Sequence, residues 1–475
     1  GMVNKLLIQC VGMFGTMSVA LVSGTVNAVD NLTSMIQQAE GLENWEIALI
    51  QTVGLFGLYF TFFSGLAMDR FGKIVVAAVG AVAVVSGYLI MAATTLIDTQ
   101  KSSGHETLLV FGLIVGYLLV GIGSGTTFLC SMGASFDIIP EKPGLAVSLP
   151  GICMSLSMAF TIFIENEYTD YKNCPYDCWG GAIVCLAIVV AICDTIGILA
   201  ISSKKLVRHT IEEVSVENSL PEITRDEEYG SLPKTPMKGV NKQLTPRESF
   251  LIFCNPFYWV VFFGFFCGIS YGLLVVTQLS GLWATFIGNE DDTDTVSTIS
   301  ILFSFANAMA TIVAGALSDF LVNKKLISRQ RFISVYFIGC TTVLLLLALL
   351  LGVDPDSTGG QVVFGTLLVS VGFGWGFSFT LFPTITSEVF GAENFGICYS
   401  FVNLGSLLAS IVVPNVDGYL SGYGSEGYIL VFVLFAGLLV LSAILLWLVP
   451  ARPVSKTPPH CLRNVSFCQP EAEIN

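Results

Sequence analysis

The sequence predicts an all-α polytopic membrane protein whose twelve transmembrane helices form two six-helix halves. Three observations support this fold class: the composition, the number of long apolar segments and an internal repeat. Of the 475 residues, 53% are hydrophobic and only 12% are charged. The charged fraction is about half that of a typical soluble domain. A mean hydropathy of +0.77 agrees with burial in a lipid bilayer.

Twelve apolar segments are each long enough to cross the hydrocarbon core, which takes a helix of about 20 residues. The predicted spans cover residues 5–27, 45–67, 73–97, 108–132, 144–165, 180–202, 254–277, 296–317, 331–352, 361–384, 394–416 and 427–449. The only long polar insert follows the sixth span and is rich in Glu, Ser and Pro, so it buries too little apolar area to fold alone. We therefore predict an N-terminal half (1–202), a flexible cytoplasmic linker (203–248), a C-terminal half (249–450) and a cytoplasmic tail (451–475).

The Lys and Arg residues indicate the orientation, because they collect on the cytoplasmic side of a membrane protein. If the N-terminus is cytoplasmic, only Lys101 and Lys172 lie outside, and the other 19 of the 21 basic residues lie inside. Both termini are therefore expected in the cytoplasm, and the membrane is either the plasma membrane or an endomembrane. The net charge of −14 comes from acids on both faces and indicates no nucleic-acid partner. We expect a monomer whose partners are the lipid bilayer and a small-molecule substrate.

An internal repeat relates the two halves. Gly65 and Asp69 recur 250 residues later as Gly315 and Asp319, at the cytoplasmic end of the second span of each half. Two more landmarks recur at offsets of 251 and 252 residues: Gly121, Gly123, Gly125 and Asp137 correspond to Gly372, Gly374, Gly376 and Glu388, and Glu141 and Gly144 to Glu393 and Gly396. Parallel repeats of this kind place a binding site between the halves near the membrane midplane. The architecture alone therefore points to a transporter.

The repeated segments also carry a resemblance to a known family. The segment "GLAMDRFGK" resembles the G-x-x-x-D-R-x-G-R/K loop of the major facilitator superfamily, and "GALSD" is similar to its shorter second-half copy. The segments "SFDIIPEKPGLAVSLPG" and "SEVFGAENFGICYSFVNLGS" further resemble the nodulin-like branch of that superfamily. The resemblance covers nearly the whole chain apart from the central linker and the tail. It implies the major facilitator fold and a secondary carrier.

The physical chemistry of this loop favours a contact between helices. A glycine at a helix end permits close approach of a neighbouring helix, and an acid there accepts backbone N–H groups and complements a positive helix N-terminus. The resemblance implies that the loop stabilises the outward-open state, which gives Asp69 and Arg70 a gating role. The gating candidates of both halves are Gly65, Asp69, Arg70, Gly72, Lys73, Gly315, Asp319, Asp137 and Glu388.

An alternative remains open at these positions: Arg70 and Lys73 only anchor the cytoplasmic face. The second copy of the loop has Phe320 where the base would stand, so the basic role passes to Lys324 or Lys325, or is lost. Asp137 and Glu388, at the cytoplasmic ends of spans four and ten, are interpreted as paired acids that either gate the cavity or anchor the loops.

Polar residues of spans one, four, seven and ten are the substrate candidates, because the resemblance implies that these helices line the central cavity. Asn27 and Gln278 lie 251 residues apart and place carboxamides at equivalent positions near the outer ends of spans one and seven. The substrate-binding candidates are Asn27, Gln278, Thr25, Ser124, Thr127, Tyr271, Trp375 and Ser378. The alternative for each is a hydrogen bond between helices. Asn307 and Asn403 are further candidates of the same type.

Charged residues are scarce inside the spans. No Lys, Arg or His lies in the interior of a span. A fixed positive charge for a phosphate or a dicarboxylate is therefore missing, and a neutral or zwitterionic solute fits better. Asp194, in "AICDTIG" of span six, is the one clear acid inside a span and is the candidate for binding a coupling proton. The alternative is that Asp194, on the cytoplasmic side of the midplane, is hydrated or paired.

Cys174 and Cys178 in "NCPYDCW" lie in the outer loop before span six and predict a local disulfide. No metal-ligand pattern accompanies them, and we expect no cofactor. The glycines of "GIGSG" lie inside an apolar span, not between a strand and a helix as a nucleotide-binding loop requires. Tight helix packing is the interpretation for these glycines.

The predicted function is secondary active transport of a small solute, amino acid-like or another small organic metabolite, by alternating access. Its energy would come from a proton or another ion gradient, because the sequence has no ATP-binding loop. The alternative is a transporter-fold sensor or receptor that binds a solute without net flux. The sequence has neither H-E-x-x-H nor G-x-S-x-G, so we predict that the protein is not an enzyme. The nodulin-like resemblance makes amino acids, monocarboxylates and iron or haem species conceivable cargoes.

Overall fold

The computed structural model describes residues 2–28, 32–33, 36, 40–94, 103–172, 179–202, 250–287, 293–352, 358–420 and 423–450. Twelve helices within these ranges are long and apolar enough to cross a membrane, which confirms the predicted number of spans. The protein is therefore an integral multi-pass membrane protein with a helical fold. The predicted linker, the tail and the pair Cys174 and Cys178 lie outside the described residues.

The helices are numbered here by span. In the N-terminal half they are α1 (Met2–Ser23), α2a (Asn44–Tyr59), α2b (Phe62–Phe71), α3 (Lys73–Thr94), α4 (Ser103–Ile138), α5 (Pro143–Lys172) and α6 (Trp179–Ile201). In the C-terminal half they are α7 (Pro256–Ile287), α8 (Thr293–Asn323), α9 (Arg329–Leu351), α10 (Thr358–Phe390), α11 (Phe395–Leu420) and α12 (Ser425–Leu448). Several helices extend past the predicted spans, and α4 has 36 residues. A helix satisfies its own backbone hydrogen bonds and can continue beyond the hydrocarbon.

Three spans depart from a continuous α-helix, two of them inside the predicted segments and one, at Gln278, just past the predicted end at residue 277. The first span ends in a 3₁₀ turn at Gly24–Ala28, and α7 is kinked at Gln278 (φ −129°, ψ 20°). These two breaks are equivalent in the repeat, since Asn27 and Gln278 lie 251 residues apart. The second span is split between α2a and α2b at Phe60 (φ −80°, ψ 64°), and no glycine or proline stands at this break.

Burial separates central helices from peripheral ones. In the apolar segment of α7, 89% of the residues are buried within the protein, against 39% in α3 and in α6. The exposed faces of the peripheral helices are apolar, as at Val82 of α3, Leu199 of α6 and Leu349 of α9. Such faces fit contact with lipid. The halves are joined mainly where α5 packs along α8 and where the two segments of the second span pack along α11, with further contact between α5 and α10.

The glycines of α4 allow neighbouring helices to approach closely. A methyl group on Gly123 would lie 2.5 Å from the carbonyl oxygen of Gly80 in α3. Methyl groups on Gly121 and Gly125 would overlap the carbonyl oxygens of Gly54 and Leu58 in α2a. These contacts fit the helix-packing interpretation of the glycine run.

Candidate functional site

The acid of the first repeated loop contacts the opposite half. Asp69 lies near the end of α2b, and its Oδ2 accepts a hydrogen bond of 2.8 Å from the backbone N–H of Ile397. Ile397 is in the first turn of α11, where backbone N–H groups have no partner within the helix and the helix dipole is positive. Asp69 therefore joins the end of the second span of the N-terminal half to a helix of the C-terminal half.

The second copy of the loop makes the reciprocal contact. Asp319 of α8 accepts hydrogen bonds from the backbone N–H groups of Gly144, at 3.1 Å, and Leu145, at 2.9 Å. Both donors lie in the first turn of α5, in the N-terminal half. Each half thus places one carboxylate against the N-terminus of a helix in the other half.

The glycine landmarks of the repeat also face each other across this boundary. A methyl group on Gly315 would lie 2.5 Å from the carbonyl oxygen of Gly144, and one on Gly396 would lie 2.8 Å from the carbonyl oxygen of Gly65. The glycine that precedes each acid therefore packs on the glycine that begins the helix bound by that acid. The sequence repeat marked both groups of residues but did not predict their contact.

Near these contacts, a base in each half binds acids of its own half. Lys73 donates to Oδ2 of Asp137 at 2.5 Å and to the carbonyl oxygen of Gly133 at 2.8 Å, both in α4. Arg329 donates to Oδ1 of Asp319 at 2.6 Å and to Oε1 of Glu388 at 2.8 Å. Asp137 and Glu388 therefore occupy equivalent places, each bound by a base of its own half.

Arg329 corrects the expectation for the second copy of the loop. The base there is neither Lys324 nor Lys325, which are exposed, and it is not lost. Arg329, the first residue of α9 and only 4% exposed, also donates to Oγ of Ser318. Loop spacing does not predict this role, because Arg329 follows Asp319 by ten residues, whereas Lys73 follows Asp69 by four. The signal in the sequence is a base at the start of a span, on the same side of the membrane as acids that end two other spans.

Arg70 and Gly72 contribute differently to the loop. Arg70 is exposed, and its guanidinium lies over the ring of Phe71, 5.5 Å from the centroid. Gly72 ends α2b with φ +87°, a left-handed conformation that glycine adopts without strain. Gly72 therefore sets the reversal that brings Lys73 to the start of α3.

The predicted substrate residues of the N-terminal half surround the 3₁₀ turn of the first span. Oγ1 of Thr25 accepts a hydrogen bond of 2.7 Å from the hydroxyl of Tyr88 in α3. The hydroxyl of Tyr117 in α4 donates to the carbonyl oxygen of Val26 at 3.0 Å. Thr127 and Ser23 share a hydrogen bond of 2.8 Å. Thr25 and Thr127 therefore make the helix-to-helix bonds that were their alternative interpretation, while Asn27 is buried in the same turn.

The predicted substrate residues of the C-terminal half divide into two groups. Gln278 marks the kink of α7 and is partly exposed. The hydroxyl of Tyr271 lies 3.4 Å from Sγ of Cys340 in α9, in a cavity of about 280 Å³ formed by α7, α9 and α10. Tyr271 thus contacts a peripheral helix of its own half. Ser378 is buried against Gly268 of α7.

Several buried polar groups have no hydrogen-bond partner among the described residues. They include Oγ of Ser124 in α4, Nε1 of Trp375 in α10 and Oδ1 of Asn307 in α8. Ser124 and Trp375 are equivalent in the repeat, 251 residues apart. A buried polar group without a partner costs about 1–3 kcal/mol, so such groups are candidates for binding a ligand. Asn403, by contrast, bonds to the second span.

Asp194 lies in the packing between α6 and α1. It is 1% exposed, and neither carboxylate oxygen has a hydrogen-bond partner in the described part of the chain. Around it, Ser18 of α1 donates to the carbonyl oxygen of Cys193 at 2.8 Å, and Gly197 packs on Gly15. Asp194 precedes Ile201, the C-terminal end of α6, by about 10 Å of helix. The predicted pairing partner is thus not found among these neighbours.

One buried acid was missed from the sequence. Glu165 of α5 is 1% exposed, although it ends the predicted fifth span and was not counted as an intramembrane acid. The helix continues past it to Lys172, so Glu165 lies inside α5 rather than at its end. Across the described residues, no three or more His, Cys, Asp and Glu side chains are grouped to hold a metal ion.

Twelve spans in two related halves, joined by reciprocal acid-to-helix contacts, define the class of multi-pass membrane transporters. A family model described as Major Facilitator Superfamily matches residues 12–414 of the chain. The chain belongs to the major facilitator superfamily, which confirms the resemblance found in the loop motifs. The fold and relatives are those of transporters rather than of enzymes.

Individual relatives are distant. The chain is 22% identical over 434 residues to "Probable transporter MCH1" of Candida albicans, covering 89% of this chain and 88% of that protein. It is 25% identical over 228 residues to "Protein NUCLEAR FUSION DEFECTIVE 4" of Arabidopsis thaliana, covering 44% of this chain and 37% of that protein. The resemblance to the nodulin-like branch rests on this second, shorter match, so it has weaker support than membership of the superfamily.

A solved structure shows the same fold. The proton:xylose symporter XylE bound to 6-bromo-6-deoxy-D-glucose matches with a TM-score of 0.63 at 16% identity, covering 95% of this chain and 96% of that chain. At such low identity the match concerns the fold alone.

Proposed function

We propose that this transporter moves a small neutral or zwitterionic solute, amino acid-like or another small organic metabolite, by alternating access. The observation that carries the proposal is the pair of reciprocal contacts at the cytoplasmic ends, from Asp69 to α11 and from Asp319 to α5. These contacts hold the two halves together on the cytoplasmic side, as expected for an outward-open state. Their loss would let the halves separate there and open the cavity to the cytoplasm.

The chemistry of the buried groups supports a neutral or zwitterionic cargo. Ser124, Asn307 and Trp375 offer a hydroxyl, an amide oxygen and an indole N–H that have no partner among the described residues. Among the described residues, the basic side chains stand at the ends of the spans, and the buried Arg329 is neutralised by Asp319 and Glu388. A strongly anionic solute would therefore find no fixed positive charge near these groups.

Coupling to protons is assigned to Asp194. An ionised carboxylate buried without a partner carries a large desolvation cost, so this side chain is stable in the membrane mainly when it is protonated. Release and uptake of that proton would accompany movement of α6 against α1. The protein would act as a monomer in the plasma membrane or an endomembrane, with both termini cytoplasmic.

The experiment is uptake into proteoliposomes that contain the purified full chain. Labelled pools of amino acids, sugars, nucleosides and monocarboxylates are supplied with and without an imposed pH gradient. Gradient-stimulated uptake of one pool is the expected result and identifies the substrate class. Asp69→Asn, which keeps the size of the side chain but removes its charge, should reduce that uptake.

A sensor or receptor is the second candidate function, and the same partnerless polar groups favour it, since they would bind a ligand whether or not it is moved. Binding of one pool without flux, measured in detergent and in proteoliposomes, would replace the carrier with the sensor. Uptake that persists unchanged in Asp69→Asn would contradict the role given to the cytoplasmic contacts.

A further inference from the structure

The break between α2a and α2b has no local cause in the sequence. Phe60 has the backbone geometry of an inverse γ-turn (φ −80°, ψ 64°), and the N–H of Thr61 donates to the carbonyl oxygen of Tyr59 at 2.9 Å. Sharp kinks in helices usually arise at proline, at Gly/Ser pairs or where another side chain enters the hydrogen-bond ladder. Backbone groups released inside a membrane need new partners. The break must therefore be stabilised from outside the helix.

The stabilising groups belong to the opposite half. Nδ2 of Asn403 in α11 donates to the carbonyl oxygen of Tyr59 at 3.0 Å and to Oγ1 of Thr61 at 3.1 Å. Oγ of Ser400 donates to the carbonyl oxygen of Thr61 at 3.0 Å. Tyr59, Thr61 and Asn403 are each at most 5% exposed. These bonds exist only while the second span and α11 remain together.

The repeat does not reproduce this arrangement. Thr311, the equivalent of Thr61, lies inside the continuous helix α8 and bonds to the carbonyl oxygen of Asn307 in the same helix at 2.9 Å. Gly151 of α5 is the equivalent of Asn403, and a methyl group there would lie 2.8 Å from Cγ2 of Thr311. The polar contact with a broken helix is thus specific to the boundary between the second span and α11.

We propose that Asn403 is a positioning residue of the transport cycle. It holds the second span in its broken form while the cytoplasmic side is closed. When the halves separate, Tyr59 and Thr61 lose these bonds and the span becomes continuous. This inference rests on the proposed function, because it assumes alternating access. The contact lies about 9 Å deeper along α11 than the bond between Asp69 and Ile397, so it extends the closed boundary into the membrane.

The test measures distances between spin labels in the full chain in proteoliposomes. The labels are attached to ketone-bearing unnatural residues, so the native cysteines stay in place. One pair, Phe71 and Lys324, reports the cytoplasmic distance between the halves, and a second pair, Leu49 and Phe71, spans the break. All three sites are exposed. The variants are Asn403→Ala and, with one bond removed, Ser400→Ala. Asn415→Ala is the matched control, because Asn415 lies in α11 and bonds within that helix to Ile411.

In Asn403→Ala, which removes two neutral hydrogen bonds, the cytoplasm-open population is expected to rise by about 5-fold or more. With the second label pair, the Leu49–Phe71 distance of the same variant should move to that of a continuous helix. Ser400→Ala should shift both distances in the same direction and by less, and Asn415→Ala should shift neither. Unchanged distances in Asn403→Ala, or broad distributions without a second defined distance, would overturn the proposal.

These distance measurements need no substrate, so a negative result here can be distinguished from a negative result in the uptake experiment. If no substrate flux were found but the distances still shifted in Asn403→Ala, the proposed carrier function would be wrong, whereas the link between Asn403 and the helix break would stand. If flux were found but the distances did not shift in Asn403→Ala, the carrier function would stand and only the role proposed for Asn403 would be wrong.

Discussion

At the scale of single residues, the contact from Asp319 to α5 depends on charges that are shielded from water. Arg329 is the clearest case, because its guanidinium binds Asp319 of α8 and Glu388 of α10 while the residue is 4% exposed. The buried guanidinium of Arg329 therefore has a role between helices and is not only an anchor for a loop at the membrane surface. It joins the ends of three helices and keeps the carboxylate that caps α5 in place.

Replacing Arg329 with Ala is expected to lower the stability of the protein by about 3–5 kcal/mol, because it leaves Asp319 buried with no compensating charge. Arg329→Lys should retain part of the stability, since an ammonium cannot bind two carboxylates with the fork geometry of a guanidinium. The measurement is thermal unfolding of the full chain in detergent. The control is Arg331→Ala, in which an exposed guanidinium over the ring of Trp447 is lost. Equal losses in the two Ala variants would contradict the assignment.

At the scale of helices, glycines set the distance between the halves. Gly65 of α2b packs on Gly396 of α11, and Gly315 of α8 packs on Gly144 of α5. Each glycine pair lies beside an acid that bonds to the first turn of the same helix. The backbones must therefore approach closely for the carboxylates to reach their N–H donors.

Gly315→Ala is expected to destabilise the protein by about 1–3 kcal/mol, because the added methyl group would overlap backbone atoms that cannot move independently. Gly65→Ala should have a similar effect at the other boundary. Gly339→Ala in α9 is the matched control, since a methyl group there meets no atom within 4 Å and alanine favours the helix. Thermal unfolding midpoints distinguish these cases. A midpoint for Gly315→Ala equal to that of Gly339→Ala would show that the close contact is not needed.

The elements differ in how far the sequence could predict them. The spans follow from apolar length alone, because a bilayer demands about 20 apolar residues per helix. The loop acids were found because they recur at a fixed offset. The break at Phe60 could not be predicted, because its cause lies in Asn403 and Ser400 of another helix. Arg329 was missed for a related reason: its partners are adjacent only after α8, α9 and α10 have packed.

At the scale of the whole molecule, the two halves have the same helix arrangement but differ in some of their buried polar groups. Both halves have the acid-to-helix contact and the interrupted first helix. The equivalents of Asp194 at offsets of 250 to 252 residues are Ile444, Leu445 and Leu446 of α12, so the buried acid of α6 has no counterpart. The broken second span is likewise confined to the N-terminal half. The proposed proton site therefore lies in one half only, and the contacts of Asp69 and Asp319 are the links between that half and the other.

This asymmetry gives a prediction for coupling. In Asp194→Asn the side chain keeps its size but cannot release a proton, so uptake of the identified pool should be the same with and without a pH gradient. Exchange of labelled for unlabelled substrate should persist, because it needs movement of the halves but no net proton transfer. Thr195→Ala is the control, since the hydroxyl of Thr195 bonds within α6 to the carbonyl oxygen of Ala191. If Asp194→Asn kept its full response to the gradient, the proton would have to bind elsewhere, and the buried Glu165 of α5 would be the next residue to test.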